Sequence, residues 1–197
     1  MKSLCIYCGS SIGASPTYAD AARELAKTMV ESNIALVYGG GKVGLMGVIA
    51  DEVMQLGGEA TGVIPKALMD KEVGHGGLTR LHIVKDMHER KAMMAELSDG
   101  FVAMPGGIGT LEELFEVFTW SQLGLHDKPI GLLNVDGFYD GLTAFLQHVV
   151  NEKFLRPEQA SLLIHEADPR SLVERLRSHV PEPHSKLLDP VAASKIV

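Results

Sequence analysis

The chain has 197 residues, 46% of them hydrophobic, and a formal net charge of −7. That length suits one sizeable core, and the acidic balance leaves no broad basic surface, which excludes sequence-independent binding to nucleic acid or to anionic lipid. No apolar run approaches the roughly 20 residues needed to cross a bilayer, and the N-terminus passes into a strand-like run without a signal-peptide pattern, so a cytoplasmic protein with no nucleic-acid and no membrane partner is expected.

Residues 4–7 read as the first strand. Cys5 and Cys8 spell C-x-x-C, but an odd separation along a strand turns the two side chains to opposite faces, which disfavours a disulfide. A helix follows: Ser15 and Pro16 supply an N-cap and a first-turn proline, and Tyr18, Ala22, Leu25, Ala26 and Met29 recur at helical spacing until Asn33 stops it. Strands at 34–38, 60–64, 81–84, 101–104, 130–135 and 162–165 then alternate with helices at 45–56, 86–97, 110–123, 138–153 and 169–179. The continuous apolar character of the strands suits burial on both faces. This rhythm predicts an α/β fold: a single-domain, Rossmann-like, doubly wound parallel sheet of about seven strands with helices on both faces, spanning residues 1–180. The tail 181–197 holds Pro181, Pro183 and Pro190 with few large apolar residues and is expected to be loose.

Three strands run into small, glycine-rich loops: Cys8-Gly9-Ser10-Ser11, Gly39-Gly40-Gly41 and Pro105-Gly106-Gly107-Ile108-Gly109-Thr110. In a parallel sheet all three fall on one edge, the carboxyl ends of the strands, where open α/β sheets bind ligands. Glycine lets backbone N–H groups approach an anion, and a following helix N-terminus favours negative charge. The alternative for any one loop is a tight turn and nothing more; three converging loops count against it. Gly39 to Gly44 also matches G-x-G-x-x-G literally. The dinucleotide fingerprint, however, sits after the first strand and needs an acidic residue at the end of the next one, whereas here Glu59 precedes that strand and Ile64-Pro65 ends it. A Walker loop is absent, since no glycine–lysine pair precedes Ser or Thr.

The segment Pro105-Gly106-Gly107-Ile108-Gly109-Thr110-Leu111-Glu112-Glu113 resembles the P-G-G-x-G-T-x-x-E motif of the Lonely Guy (LOG) family, the cytokinin riboside 5′-monophosphate phosphoribohydrolases, with every fixed position met. The likeness spans residues 1–180 and takes in the C-G-S-S and Y-G-G-G loops and an Arg90-Lys91 pair. It implies a nucleotide-binding N-glycosidase that hydrolyses cytokinin-type nucleoside 5′-monophosphates, such as N6-substituted AMP, to free base and ribose 5-phosphate, with water as co-substrate and no cofactor. It further implies that Arg90 and Glu113 are catalytic, that Ser10, Gly40, Glu72, Lys91, Gly106, Gly107, Gly109, Thr110, Glu112 and Thr119 bind the substrate, and that the protein is an oligomer.

The residues offer their own reasons and their own alternatives. Thr110-Leu111-Glu112-Glu113 can be a capping box, with Thr110 as cap and Glu113 reaching back to its N–H. Against that, two carboxylates beside a phosphate-holding loop would repel the ligand unless they contact its sugar or a developing cation, and loss of a base from ribose passes through an oxocarbenium-like transition state that a carboxylate stabilises. Arg90 can be a solvated surface charge. Yet Met87, Arg90, Met94 and Leu97 share a helical stripe, where an unpaired charge is costly, so a buried partner is implied, and by the resemblance that partner is the substrate.

On helix 110–123, Leu111, Leu114, Phe115 and Phe118 form one apolar face, and Val117, Trp120 and Leu123 form another; such a helix either is fully buried in its own domain or packs against another subunit, and a homodimer whose seam includes it is expected. The eight histidines show no tight ligand spacing, with Ala92 where His88-Glu89 would need a second histidine, so no metal is expected. Three other readings compete, of which a nicotinamide-dependent oxidoreductase is disfavoured by the misplaced dinucleotide fingerprint. A non-catalytic nucleotide or cofactor carrier would use the glycine loops but leave Arg90 and Glu112-Glu113 idle. Lysine decarboxylase, a label given to relatives, would need pyridoxal phosphate on a lysine that nothing here singles out.

Overall fold

A computed structural model describes residues 1–69 and 74–180. Glu72 and the tail 181–197 lie outside the described residues. Seven parallel strands, β1 (Ser3–Tyr7), β2 (Ala35–Tyr38), β3 (Ala60–Pro65), β4 (Arg80–Val84), β5 (Phe101–Ala103), β6 (Ile130–Leu133) and β7 (Leu163–Glu166), form one sheet in the order β4-β3-β2-β1-β5-β6-β7. They alternate with α1 (Pro16–Glu31), α2 (Gly44–Gln55), α3 (Lys66–Leu68), α4 (Met87–Glu96), α5 (Ile108–Leu123), α6 (Asp140–Asn151), α7 (Pro157–Ala160) and α8 (Pro169–Arg177). Among the described residues no helix is long and apolar enough to cross a membrane.

Strand periodicity explains the two helical layers. Leu4, Ile6 and Cys8 join an apolar cluster with Leu25, Ile49 and Leu172, whereas Cys5 and Tyr7 join another with Met94, Leu114 and Phe118. The two cysteines therefore occupy opposite faces, both free and buried, as their odd spacing requires. Full burial of side chains such as Leu25, Met29 and Ile49 stabilises the fold by about 1.5–3 kcal/mol each.

Helix α1 is built from its caps as read: Ser15 Oγ accepts the Thr17 N–H, and Asn33 turns the chain at φ 54°. β6 is shorter than expected. Asn134 N–H still donates to the Glu166 carbonyl, but its side chain accepts the Tyr139 N–H and donates to Asp140. That turn carries the chain through a 3-10 segment, Val135–Gly137, and delays α6 to Asp140. Single-turn α3 and α7 were not expected, because a helical period cannot register in three or four residues.

The topology selects one position for a ligand. From β1 the chain moves outward through β2 and β3 to β4, then returns to place β5 on the other side of β1. The winding reverses between β1 and β5, and in such sheets the crevice beyond the carboxyl ends of these two strands receives ligands.

Candidate active site

Two loops close that crevice. Gly9 N–H donates to the Pro105 carbonyl at 3.1 Å, and Gly106 runs so close that a Cβ there would stand 2.1 Å from Thr110 Oγ1 and 2.9 Å from the Gly9 nitrogen. The tyrosine of α6's entry, Tyr139, is buried and donates its hydroxyl to the Met104 carbonyl at 2.6 Å, which fixes the chain as it leaves β5. On the opposite side Gly44, at φ 60°, brings α2 against the Ser10 backbone, and Leu45 N–H donates to the Gly9 carbonyl at 3.0 Å.

The N-terminus of α5 lies open by comparison. Its N-cap is Gly107, no side chain caps it, and no acidic residue occupies its first turn. The first N–H groups of a helix have no intrahelical acceptor, and here they line the cleft, so the end of α5 favours an anion. The helix begins at Ile108 rather than at the expected residue 110, and Thr110 is buried against Gly106 instead of capping. The capping box that the sequence allowed does not form, and Glu113 turns inward.

Its partner is Arg90 from α4. Arg90 Nη2 stands 3.5 Å from Glu113 Oε1, with 12% and 11% of the two side chains exposed. Burial pushes the Glu113 carboxyl above the ordinary carboxylate range; Arg90 offsets part of that, and neighbouring Glu112 adds to it. Arg90 Nε is buried without a hydrogen-bond partner, and Nη1 donates to Met87 Sδ at 3.6 Å. The buried partner that the helical stripe demanded is thus a carboxylate of the protein itself.

The guanidinium rests on Gly39, where a Cβ would fall 1.9 Å from Nη2. The expected substrate residue is its neighbour Gly40, which instead turns at φ 72° against Ile64 and Leu81 and accepts the His75 N–H at its carbonyl. The run of three glycines was the only signal for Gly39. It marks a close approach without saying which glycine meets which side chain.

Of the other expected substrate residues, Ser10, Gly107, Gly109, Thr110 and Glu112 line one cleft of about 310 Å³ with Arg90 and Glu113. Gly106 lies on the wall toward a neighbouring apolar hollow. Lys91 and Thr119 are not brought into the cleft. Lys91 Nζ bonds Glu112 at 2.6 Å and Glu116 at 2.8 Å, contacts that raise its pKa against the opposing effect of burial, and Thr119 is exposed farther along α5. Val117 is buried in the chain's own core rather than on a free face; Trp120 and Leu123 remain partly exposed.

Fold and crevice together define a Rossmann-like α/β protein with an anion-receptive helix end beside a buried carboxylate–guanidinium pair. Solved structures share the fold: the molybdenum cofactor carrier protein of Chlamydomonas reinhardtii, at 19% identity and TM-score 0.69 over 90% of this chain and 98% of that one, and a molybdenum cofactor binding protein of Rippkaea orientalis, at 20% and 0.68 over 90% and 97%. Residues 46–176 match a family model described as "Possible lysine decarboxylase". The cytokinin riboside 5′-monophosphate phosphoribohydrolase LOG of Oryza sativa subsp. japonica is 50% identical over 92% of this chain and 75% of its own length. An Arabidopsis thaliana phosphoribohydrolase of the same description is 48% identical over 94% and 87%. The chain belongs to this LOG family.

Proposed function

We propose that the chain is an N-glycosidase that hydrolyses cytokinin-type nucleoside 5′-monophosphates, N6-substituted AMP and AMP itself, to free base and ribose 5-phosphate. The observation that carries this reading is the buried Arg90–Glu113 pair beside the open N-terminus of α5. The 5′-phosphate rests on the main-chain amides from Gly107 to Thr110, and that anchor sets the anomeric carbon within reach of Glu113. As the bond to the base lengthens, the sugar gains oxocarbenium character, and the Glu113 carboxylate stabilises that charge and directs water to the anomeric carbon. Water's hydroxyl joins the sugar, and its proton leaves with the base. Arginine stays protonated in proteins, so the part of Arg90 is electrostatic: it keeps Glu113 ionised in a site whose burial opposes ionisation.

The names of relatives at 48% and 50% identity support the same reaction. A carrier that binds without cleaving would leave the buried pair without a task. The proposal includes a homodimer seated on α5 through Trp120 and Leu123, no cofactor, and action in the cytoplasm away from membrane and nucleic acid. Incubating the purified protein with AMP and with isopentenyladenosine 5′-monophosphate, followed by chromatography, tests it. Free adenine or isopentenyladenine is expected; bound, uncleaved nucleotide would favour a carrier.

A further inference from the structure

The Arg90 guanidinium is held by packing more than by hydrogen bonds. Its Nε has no partner, Nη1 reaches only Met87 Sδ, and Nη2 stands 3.5 Å from Glu113. Its place is therefore set by the floor beneath it, the backbone of Gly39. That floor belongs to a run of three glycines, Gly39 to Gly41, and glycine is the least restrained backbone of all. Such a turn keeps one shape only when something outside it does the holding. Here His75 N–H donates to the Gly40 carbonyl at 3.0 Å, and Gly74 pairs with Gly41 in an antiparallel bridge. The His75 side chain anchors this segment in turn. It is buried, and both ring nitrogens are engaged: Nδ1 accepts the Gly77 N–H at 3.1 Å, which leaves Nε2 to carry the proton that it donates to Asp51 Oδ1 at 2.9 Å. Asp51 stands on α2, the helix that follows the glycine turn, so the ring ties residues 74–77 to the element that the turn leads into.

We propose that His75, oriented by Asp51, is a positioning residue for the Arg90–Glu113 pair. The inference rests on the hydrolase reading of that pair. His75 and Asp51 do not line the cleft, so they act through the backbone. The ring fixes residues 74–77, these fix the Gly40 and Gly41 peptides, and Gly39 then presents the guanidinium to Glu113. Release of the ring lets the glycine turn relax, and the guanidinium follows it. A displacement of about 1 Å in a group that acts on the reacting centre costs up to about 10²-fold in rate. The effect falls on turnover rather than on binding, because the amides that receive the phosphate belong to α5 and its loop, not to this turn.

Steady-state kinetics and thermal melting of the wild type, Asp51→Ala, Asp51→Asn and His75→Asn, with isopentenyladenosine 5′-monophosphate as substrate, test this. The Asp51 side chain is 54% exposed, so its truncation leaves the core intact. In His75→Asn the amide oxygen still accepts the Gly77 N–H two residues on, as in an Asx turn, but the side chain is too short to reach Asp51. Asp51→Ala and His75→Asn are expected to lower kcat about tenfold, with KM and the inhibition constant of ribose 5-phosphate changed by less than about threefold. Asp51→Asn keeps an acceptor for the Nε2 proton and should recover most of the loss. Added to Gly39→Ala, Asp51→Ala should cost little more, since both displace the same guanidinium. Unchanged kcat in both Asp51→Ala and His75→Asn, whether or not melting temperature falls, makes the pair a staple of the fold alone; it overturns the inference and leaves the hydrolase reading standing. Losses that multiply in the double variant overturn it too, because the path would not run through Gly39. A wild type that releases no base overturns both.

Discussion

Arg90 Nη2 lies 3.5 Å from Glu113 Oε1, in a pair almost nine-tenths buried, at a distance that attracts without making a strong hydrogen bond. Each charge compensates the other inside a cleft that would otherwise disfavour both. The carboxylate is thus available to a developing cation in the sugar rather than locked in a short bidentate bridge.

Glu113→Gln keeps the shape of the side chain and removes its charge. Turnover of an N6-substituted AMP is expected to fall about 10²-fold or more, with ribose 5-phosphate affinity little changed. Initial rates of base release measure the first, and inhibition constants the second.

Arg90→Ala leaves Glu113 buried opposite no cation. Removing one partner of a buried pair costs about 3–5 kcal/mol at full burial, and the slight exposure here argues for the lower end. Equilibrium unfolding in urea should show a reduced midpoint, partly restored in Arg90→Ala/Glu113→Gln, where no uncompensated charge remains.

The raised pKa of Glu113 sets two pH dependences. Folded protein holds the Glu113 proton more tightly than unfolded chain does, so this group's contribution to stability is full below the ordinary value of 4.5 and is lost as pH rises through the raised folded value. Thermal midpoints of wild type and Glu113→Gln should therefore diverge against the wild type across that window. If the ionised form does the chemistry, kcat should climb through a limb placed above the ordinary carboxylate range, and a limb at or below 4.5 would contradict this.

Gly39→Ala places a methyl group 1.9 Å from the present Arg90 Nη2 position. The clashing atom is the end of a flexible side chain, so the fold should survive with Arg90 displaced. A misplaced catalytic group of this kind costs about tenfold or more in kcat, and thermal melting should show little change beside it.

Lys91→Ala removes the cation shared by Glu112 and Glu116, four residues apart on α5. Two facing carboxylates then repel across one helical turn, and the expected loss is about 1 kcal/mol, because Glu112 is half exposed and its interactions are screened. Raising the salt concentration should narrow the gap in unfolding midpoint between wild type and variant, because it screens an attraction in the one and a repulsion in the other.

Local chemistry made part of this legible in the sequence. Ser15, Pro16 and Asn33 mark α1 because caps act within a few residues, and the apolar runs mark strands buried on both faces. The glycine motif located the α5 loop and Glu113, and the apolar stripe around Arg90 showed that a charge there needed a buried partner. What could not be read is tertiary. Strand order, the Arg90 guanidinium over Gly39, and Lys91 held between Glu112 and Glu116 all join segments far apart in the chain. Thr110-Leu111-Glu112-Glu113 shows the opposite failure: a valid local capping pattern was overridden because Gly107 takes the extended cap conformation and close packing against Gly106 buries Thr110.

The most direct measurement is a time course of isopentenyladenosine 5′-monophosphate with wild type and with Glu113→Gln, quantifying free base and ribose 5-phosphate together. Equal amounts of the two products from the wild type, at a rate about 10²-fold or more above that of the variant, are the predicted result. Product release at the same rate from both proteins, or none from the wild type, would contradict the placement of the cleaved bond beside Glu113.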